Sequence, residues 1–85
     1  MRTYYTLKLV PVGQQPLYVK SYNSTLDVYV FTTEEAFAHQ FSEESCFSRF
    51  TSYVEKVDLA NFKHCVPQLR VHTIEVAGNA LVIKK

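Results

Sequence analysis

Residues 3–10 alternate between apolar and polar, with Tyr5, Leu7 and Leu9 on one face and Tyr4, Thr6 and Lys8 on the other. A half-buried strand has this period of two. Pro11, Gly13 and Pro16 interrupt the pattern and mark a loop. Alternation resumes over 17–22, with Leu17 and Val19 opposite Tyr18, Lys20 and Tyr22. The two strands are expected to pair antiparallel across the loop. Asn23, Ser24 and Thr25 supply the next turn. Residues 26–31 read as a third strand, rich in β-branched and aromatic side chains. Placing Asp27 on the solvent side with Tyr29 directs Leu26, Val28 and Val30 to the core.

The period then changes to helical. Thr32 and Glu35 have the capping-box spacing, which predicts a short helix over 33–40 with Phe37 and Phe41 on one face. Residues 42–57, SEESCFSRFTSYVEKV, place Cys46, Phe47, Phe50, Tyr53, Val54 and Val57 on one stripe of a longer helix. Ser42 is positioned to cap it, and Glu43 and Glu44 complement its dipole. Residues 58–62 can add one more turn, and His64–Pro67 form an ordered connection in which Val66, before proline, is extended.

Residues 69–77 and 80–85 flank Gly78-Asn79, the chemistry of a two-residue type II′ hairpin. That turn sets Val76 against Leu81 and Ile74 against Ile83, with Glu75 against Val82 and Thr73 against Lys84. The elements run β-β-β-α-α-β-β. The expected fold is α+β: one domain, an antiparallel sheet of about five strands, with helices packed on one face.

The chain of 85 residues is 47% hydrophobic and 20% charged, with a formal net charge of +1. A domain of this size buries only about 60–65% of its unfolded surface, so its stability is narrow. Near-neutral charge argues against a broad electrostatic footprint on nucleic acid. The N-terminal stretch has a strand pattern and not that of a signal peptide, and no apolar run reaches the ~20 residues of a membrane helix. Two cysteines without a secretory signal do not make a disulfide framework. A soluble, cytoplasmic, reducing setting is expected, with no membrane partner.

Candidate chemistry is sparse. His39, Cys46, His64, Cys65 and His72 lack the paired spacing of a zinc site. Adjacent His64 and Cys65 point apart in an extended segment, so Cys46 is read as a core residue, His39 as a surface residue and His72 as a sheet-edge residue. Neither cysteine carries the signature of a nucleophile with its base and orienting group. The pairs Glu34/Glu35 and Glu43/Glu44 are accounted for by helix starts. No catalytic residue, metal or cofactor is assigned.

Tyrosine changes this picture. The aromatic share is 14%, from six Tyr and six Phe. Tyr4, Tyr18, Tyr22 and Tyr29 fall on the polar phase of the first three strands, and Lys8 and Lys20 share it. If the helices cover the other face, these six residues form an open, Tyr-rich, mildly basic binding surface. Such a surface suits a protein partner. The alternative is a single-strand nucleic-acid platform on which bases stack, though the RRM signature and an Arg cluster are missing. The same face, or the edge of the final hairpin, would also favour a homodimer.

The run Leu17-Tyr-Val-Lys-Ser-Tyr22, then Val30-Phe-Thr-Thr-Glu-Glu-Ala36 and a helix, resembles many small phage-encoded accessory proteins. In those a strand carrying Y-[LV]-K precedes a strand ending F-T, a short acidic helix with Ala and a closing strand. The resemblance covers about residues 4–41 and the hairpin, and the long second helix departs from it. It implies a phage or prophage product that inhibits a host defence protein by binding and blocking it, as anti-CRISPR proteins do. It carries over no catalytic residue.

Overall fold

A computed structural model describes residues 2–61, 65–77 and 80–84, with side chains described for 2–57 and 65–74. Five strands and one α-helix follow the order β1 (Arg2–Pro11), β2 (Leu17–Asn23), β3 (Val28–Thr32), a single 3-10 turn (Glu35–Phe37), α1 (Cys46–Asn61), β4 (Cys65–Ala77) and β5 (Ala80–Lys84). The strands form one antiparallel sheet in the order β3-β2-β1-β4-β5. The α+β class and the antiparallel sheet agree with the sequence pattern.

The alternation of β1 directs Leu7 and Leu9 into a core with Val19, Phe41, Phe50 and Val54. This inner face lies under α1, whose Cys46, Phe47 and Tyr53 pack around the same cluster. The stripe read from the sequence is therefore the buried stripe, and Phe50 is fully enclosed. The helix starts later than expected, at Cys46 rather than near Ser42. Phe41 explains the delay. It exchanges both backbone hydrogen bonds with Tyr5, at 2.8 Å each, and this bridge holds the chain extended just before Ser42. Glu43 and Glu44 then lie before α1, their carbonyls accepting from Cys46 and Phe47.

The short helix expected over 33–40 is only the 3-10 turn. Thr32 Oγ1 does accept a backbone N–H, but from Glu34 at 3.2 Å and not from Glu35. Nor does this turn join α1 on one face. The β1–β2 ladder pairs Lys8 with Tyr18 and Leu9 with Leu17. Further along, the segment 39–41 fills the gap between the strands. His39 N–H donates to the Val19 carbonyl (2.7 Å) on one side, and Phe41 bridges Tyr5 on the other. The chain thus threads from the outer face of the sheet to the inner one. Phe37 is left outside while Phe41 enters the core, so the two do not share a face.

The third strand reverses the expected phase. Tyr29 is buried and Phe31 half-buried on the α1 side, whereas Leu26, Val28 and Val30 are exposed. Asp27 sits in the preceding turn at φ 52, so its polarity says nothing about the strand's faces. On β2 the register slips between Val19 and Ser21. A one-residue bulge turns every later side chain to the opposite face. Tyr22 consequently faces inward beside Tyr29.

β4 is longer than expected, beginning at Cys65, and Val66 is extended as its position before proline requires. Pro67 lies opposite Leu9 on β1. Among the described residues the pairing on the other side of β4 runs from Thr73 to Ala77, so the missing N–H of Pro67 leaves no gap in that ladder. The β4–β5 register is the expected one, residue for residue. The turn at Gly78-Asn79, and the positions of His64 and Lys85, lie outside the described residues.

Candidate functional site

The six residues of the expected binding surface are divided by the sheet. Tyr22 and Tyr29 belong to the inner face, and Tyr29 is only 5% exposed. The phase shift on β2 and the reversed β3 put them there. Tyr22 Oη donates to Asp27 Oδ1 (3.1 Å), and Lys56 reaches the other oxygen of that carboxylate at 3.6 Å. Arg49 lies 5.9 Å from the Tyr22 ring centroid. Tyr29 meets Phe50 and Tyr53 edge-on, at 5.3 and 4.6 Å between centroids. Burial, reinforced by the charges of Tyr22 and Asp27, pushes the Tyr29 phenol up to about 12. Burial and the Asp27 carboxylate also raise that of Tyr22. These are structural tyrosines.

Tyr4, Lys8 and Tyr18 do lie on the outer face, yet both tyrosines are buried there. The Lys8 ammonium sits 5.8 Å from the Tyr18 centroid. Lys20 is the residue at the bulge and is exposed. The open tyrosine platform is therefore not formed. The rings fill space between the strands and the segment that crosses them.

That crossing creates a site the sequence did not disclose. The antiparallel register sets Tyr4 directly opposite His72 and Thr6 opposite Arg70. The Tyr4 and His72 rings stack at 4.7 Å and 14°. Thr6 Oγ1 and His72 Nε2 share a hydrogen bond of 3.0 Å, and His72 is buried rather than at a sheet edge. The 3-10 turn passes above, and Arg70 holds Glu35 at 3.7 Å. Between turn and sheet lies a half-open cleft of about 420 Å³, lined by Tyr4, Thr6, Glu35, Ala36, Ala38, Gln40 and His72. A volume of this order admits a small ligand or a large side chain. Tyr4 was assigned to a binding surface from the sequence, Glu35 and His72 were weighed there and given no role, and Thr6 and Gln40 were not singled out. Their only signal was the pairing of β1 with β4, which alternation cannot supply.

The other exposed feature is apolar. Val28 and Val30, 42% and 49% exposed, point outward from β3, an edge strand. Phe37, 61% exposed, stands on the 3-10 turn that crosses the outer face. Val66, on the same side of β4, is also exposed. Among the described residues no cluster of His, Cys, Asp and Glu is arranged to hold a metal ion, and no helix is long and apolar enough to cross a membrane.

No protein-family model, curated protein or solved structure matches this chain.

Proposed function

We propose that the protein is a non-enzymatic binding module that blocks a partner protein by covering it, acting in the cytoplasm of a host cell as a phage-encoded, anti-CRISPR-like inhibitor of host defence. The observation that carries this reading is the exposed apolar set Val28, Val30 and Phe37 on the outer side of the sheet. Apolar side chains exposed at an edge strand mark association surfaces, and an exposed aromatic is a frequent anchor. The edge position of β3 lets a partner strand extend the sheet. The reading uses no catalytic residue and no cofactor. It replaces the tyrosines by aliphatic and Phe side chains as the contacting groups, and retains Lys20 at the margin.

The test compares wild type with Val30→Asp and Phe37→Asp as baits in host lysate, with circular dichroism as the check on folding. The expected result is a protein partner retained by wild type and lost by both folded variants. A partner held equally by all three overturns the assignment of the surface.

The alternative reading, single-strand nucleic-acid binding, draws support from Lys8 and Arg70 on the outer face. It is weakened by the burial of Tyr4 and Tyr18, which leaves their rings little area for a base. Nucleic acid co-purifying in place of protein, with affinity falling steeply as salt rises, would favour it.

A further inference from the structure

We propose that β3 pairs antiparallel with β3 of a second copy of this chain, about a twofold axis through Val30, and that the partner-binding face is built from both copies. The first part stands on the sheet alone, and the second rests on the binding reading.

Three features of β3 select a second copy. The first is composition. Among the described residues β3 is paired on one side only, with β2. Yet Val28, Tyr29, Val30 and Phe31 are apolar at consecutive positions, as in a strand with neighbours on both sides. The opposite edge carries Pro67 in β4 and Lys84 in β5, residues that discourage edge pairing, and β3 carries neither kind. Charge is the second feature. A twofold contact sets like against like, so a charge at the axis would meet itself. The strand VYVFT has none. Asp27, just before it, keeps Lys56 as its counter-ion at 3.6 Å, at the end of the shared ladder where Glu34 of the second copy comes nearest. Register is the third feature. Opposed residues of an antiparallel pair lie on one face, so the axis passes through a residue and not between two. All five residues pair only when that residue is Val30. Val30 then meets itself, Val28 meets Thr32 on the outer face, and Tyr29 meets Phe31 on the inner one. Each is a pairing of β-branched or aromatic side chains that stabilises a ladder.

The pairing joins two five-stranded sheets into one and doubles the exposed outer strip. Val28 and Val30 lie at the seam in both copies, and each copy carries Phe37 on the same side. Edge pairing uses backbone groups and leaves the outer faces of these side chains available. A partner resting there contacts both copies. A ladder of five residues is short, so the dimer forms in the micromolar range.

The test introduces one cysteine at a time into the purified chain. Directly opposed antiparallel residues have Cα atoms about 4.5–5.5 Å apart, within the reach of a disulfide. Val30→Cys meets its own equivalent at that spacing. Val28→Cys faces Thr32, and its equivalent lies about 13 Å away along the ladder. Under mild oxidation at equal concentration, Val30→Cys is expected to cross-link about tenfold faster than Val28→Cys on a non-reducing gel. Wild type, which retains the half-buried Cys46 and Cys65, gives the background, and circular dichroism confirms that each variant is folded. Val30→Lys should be monomeric by light scattering. Equal cross-linking of the two cysteine variants, or a wild type that is monomeric throughout, would overturn the pairing. A dimer that Val30→Lys leaves intact would overturn it as well and assign the contact to the β5 edge. The outcome separates from that of the binding reading. A Val30-centred dimer that captures no partner from host lysate sinks the binding reading alone. A monomer that captures a partner, lost in Phe37→Asp, sinks the dimer alone.

Discussion

Tyr22 and Tyr29 stack at 4.4 Å across the β2–β3 ladder, on the face that α1 covers. They meet because β2 carries a bulge between Val19 and Ser21. Were Lys20 paired in a regular register instead, Tyr22 would point outward and Tyr29 would lie opposite Ser21. The pair then joins Phe50 and Tyr53 in one aromatic group beneath the helix. Tyr29→Ala is expected to cost about 3–5 kcal/mol, the range for removing a buried ring. A urea titration reads this directly, and an unchanged midpoint would place Tyr29 at the surface.

Phe50 anchors the same group from the helix side and is fully enclosed. Phe50→Ala should also cost about 3–5 kcal/mol, through lost contacts and the cavity left behind. Stability in a domain this small is narrow, so loss of the folded state at 37 °C is the expected phenotype. A melting temperature near that of wild type would contradict the placement of α1.

The buried phenol of Tyr29 makes stability fall in alkali. Its ordinary value is 10.0 and in the fold it is pushed up to about 12, first by burial and then by the charges of Tyr22 and Asp27. Above about pH 10 the unfolded chain loses this proton while the native chain keeps it, so stability is full below pH 10 and declines through about pH 12. The loss attributable to Tyr29 is at most about 2–3 kcal/mol. Urea midpoints at pH 9 and pH 11 should differ by less in Tyr29→Phe than in wild type. Equal pH dependence in the two proteins would show that other groups carry it.

Much of the fold was legible because it follows from period and turn chemistry. The stripe of α1 places Phe50 and Val54 correctly, since helical spacing fixes a face without reference to partners. The β4–β5 register follows from the two residues between the strands. The failures share one physical cause. Alternation shows that a strand has two faces without saying which is inward, and Asp27, taken as the guide, lies in a turn at positive φ. Nothing local announces the bulge near Lys20 either. The cleft is further from reach, because it exists only through the pairing of Tyr4 with His72, far apart in sequence, beneath a segment that threads between two strands.

Self-association has one route left of the two expected. Packing through a wet tyrosine face has no basis, since Tyr4, Tyr18 and Tyr29 are buried. Tyr18→Asp should therefore unfold the chain, because it buries an unpaired charge, and should not merely separate copies. The other expected route, pairing at the edge of the final hairpin, is open in that β5 is an edge strand, and β3 at the opposite edge, whose sequence VYVFT carries no charge to guard it, is a second candidate edge. Light scattering across micromolar concentrations is expected to show a dimer that Val30→Lys returns to 9.8 kDa. Wild type at that mass throughout removes the dimer.

Thr6 and His72 supply the last test, because their hydrogen bond of 3.0 Å is buried under the 3-10 turn. Breaking one side of such a pair costs more than the bond is worth, since the abandoned group stays out of water. Thr6→Val keeps the shape of the side chain and removes its hydroxyl. It should destabilise by about 1–3 kcal/mol. His72→Phe keeps a ring to stack on Tyr4 and strands the Thr6 hydroxyl instead, with a loss of similar size. The double variant replaces both polar groups by apolar ones of like shape and should be more stable than the sum of the single losses implies. A coupling of about 0.5–3 kcal/mol in a urea double-mutant cycle is the expected signature. Strict additivity would mean that the two side chains do not depend on each other, and that the Tyr4 ring is not held by the bond beneath it.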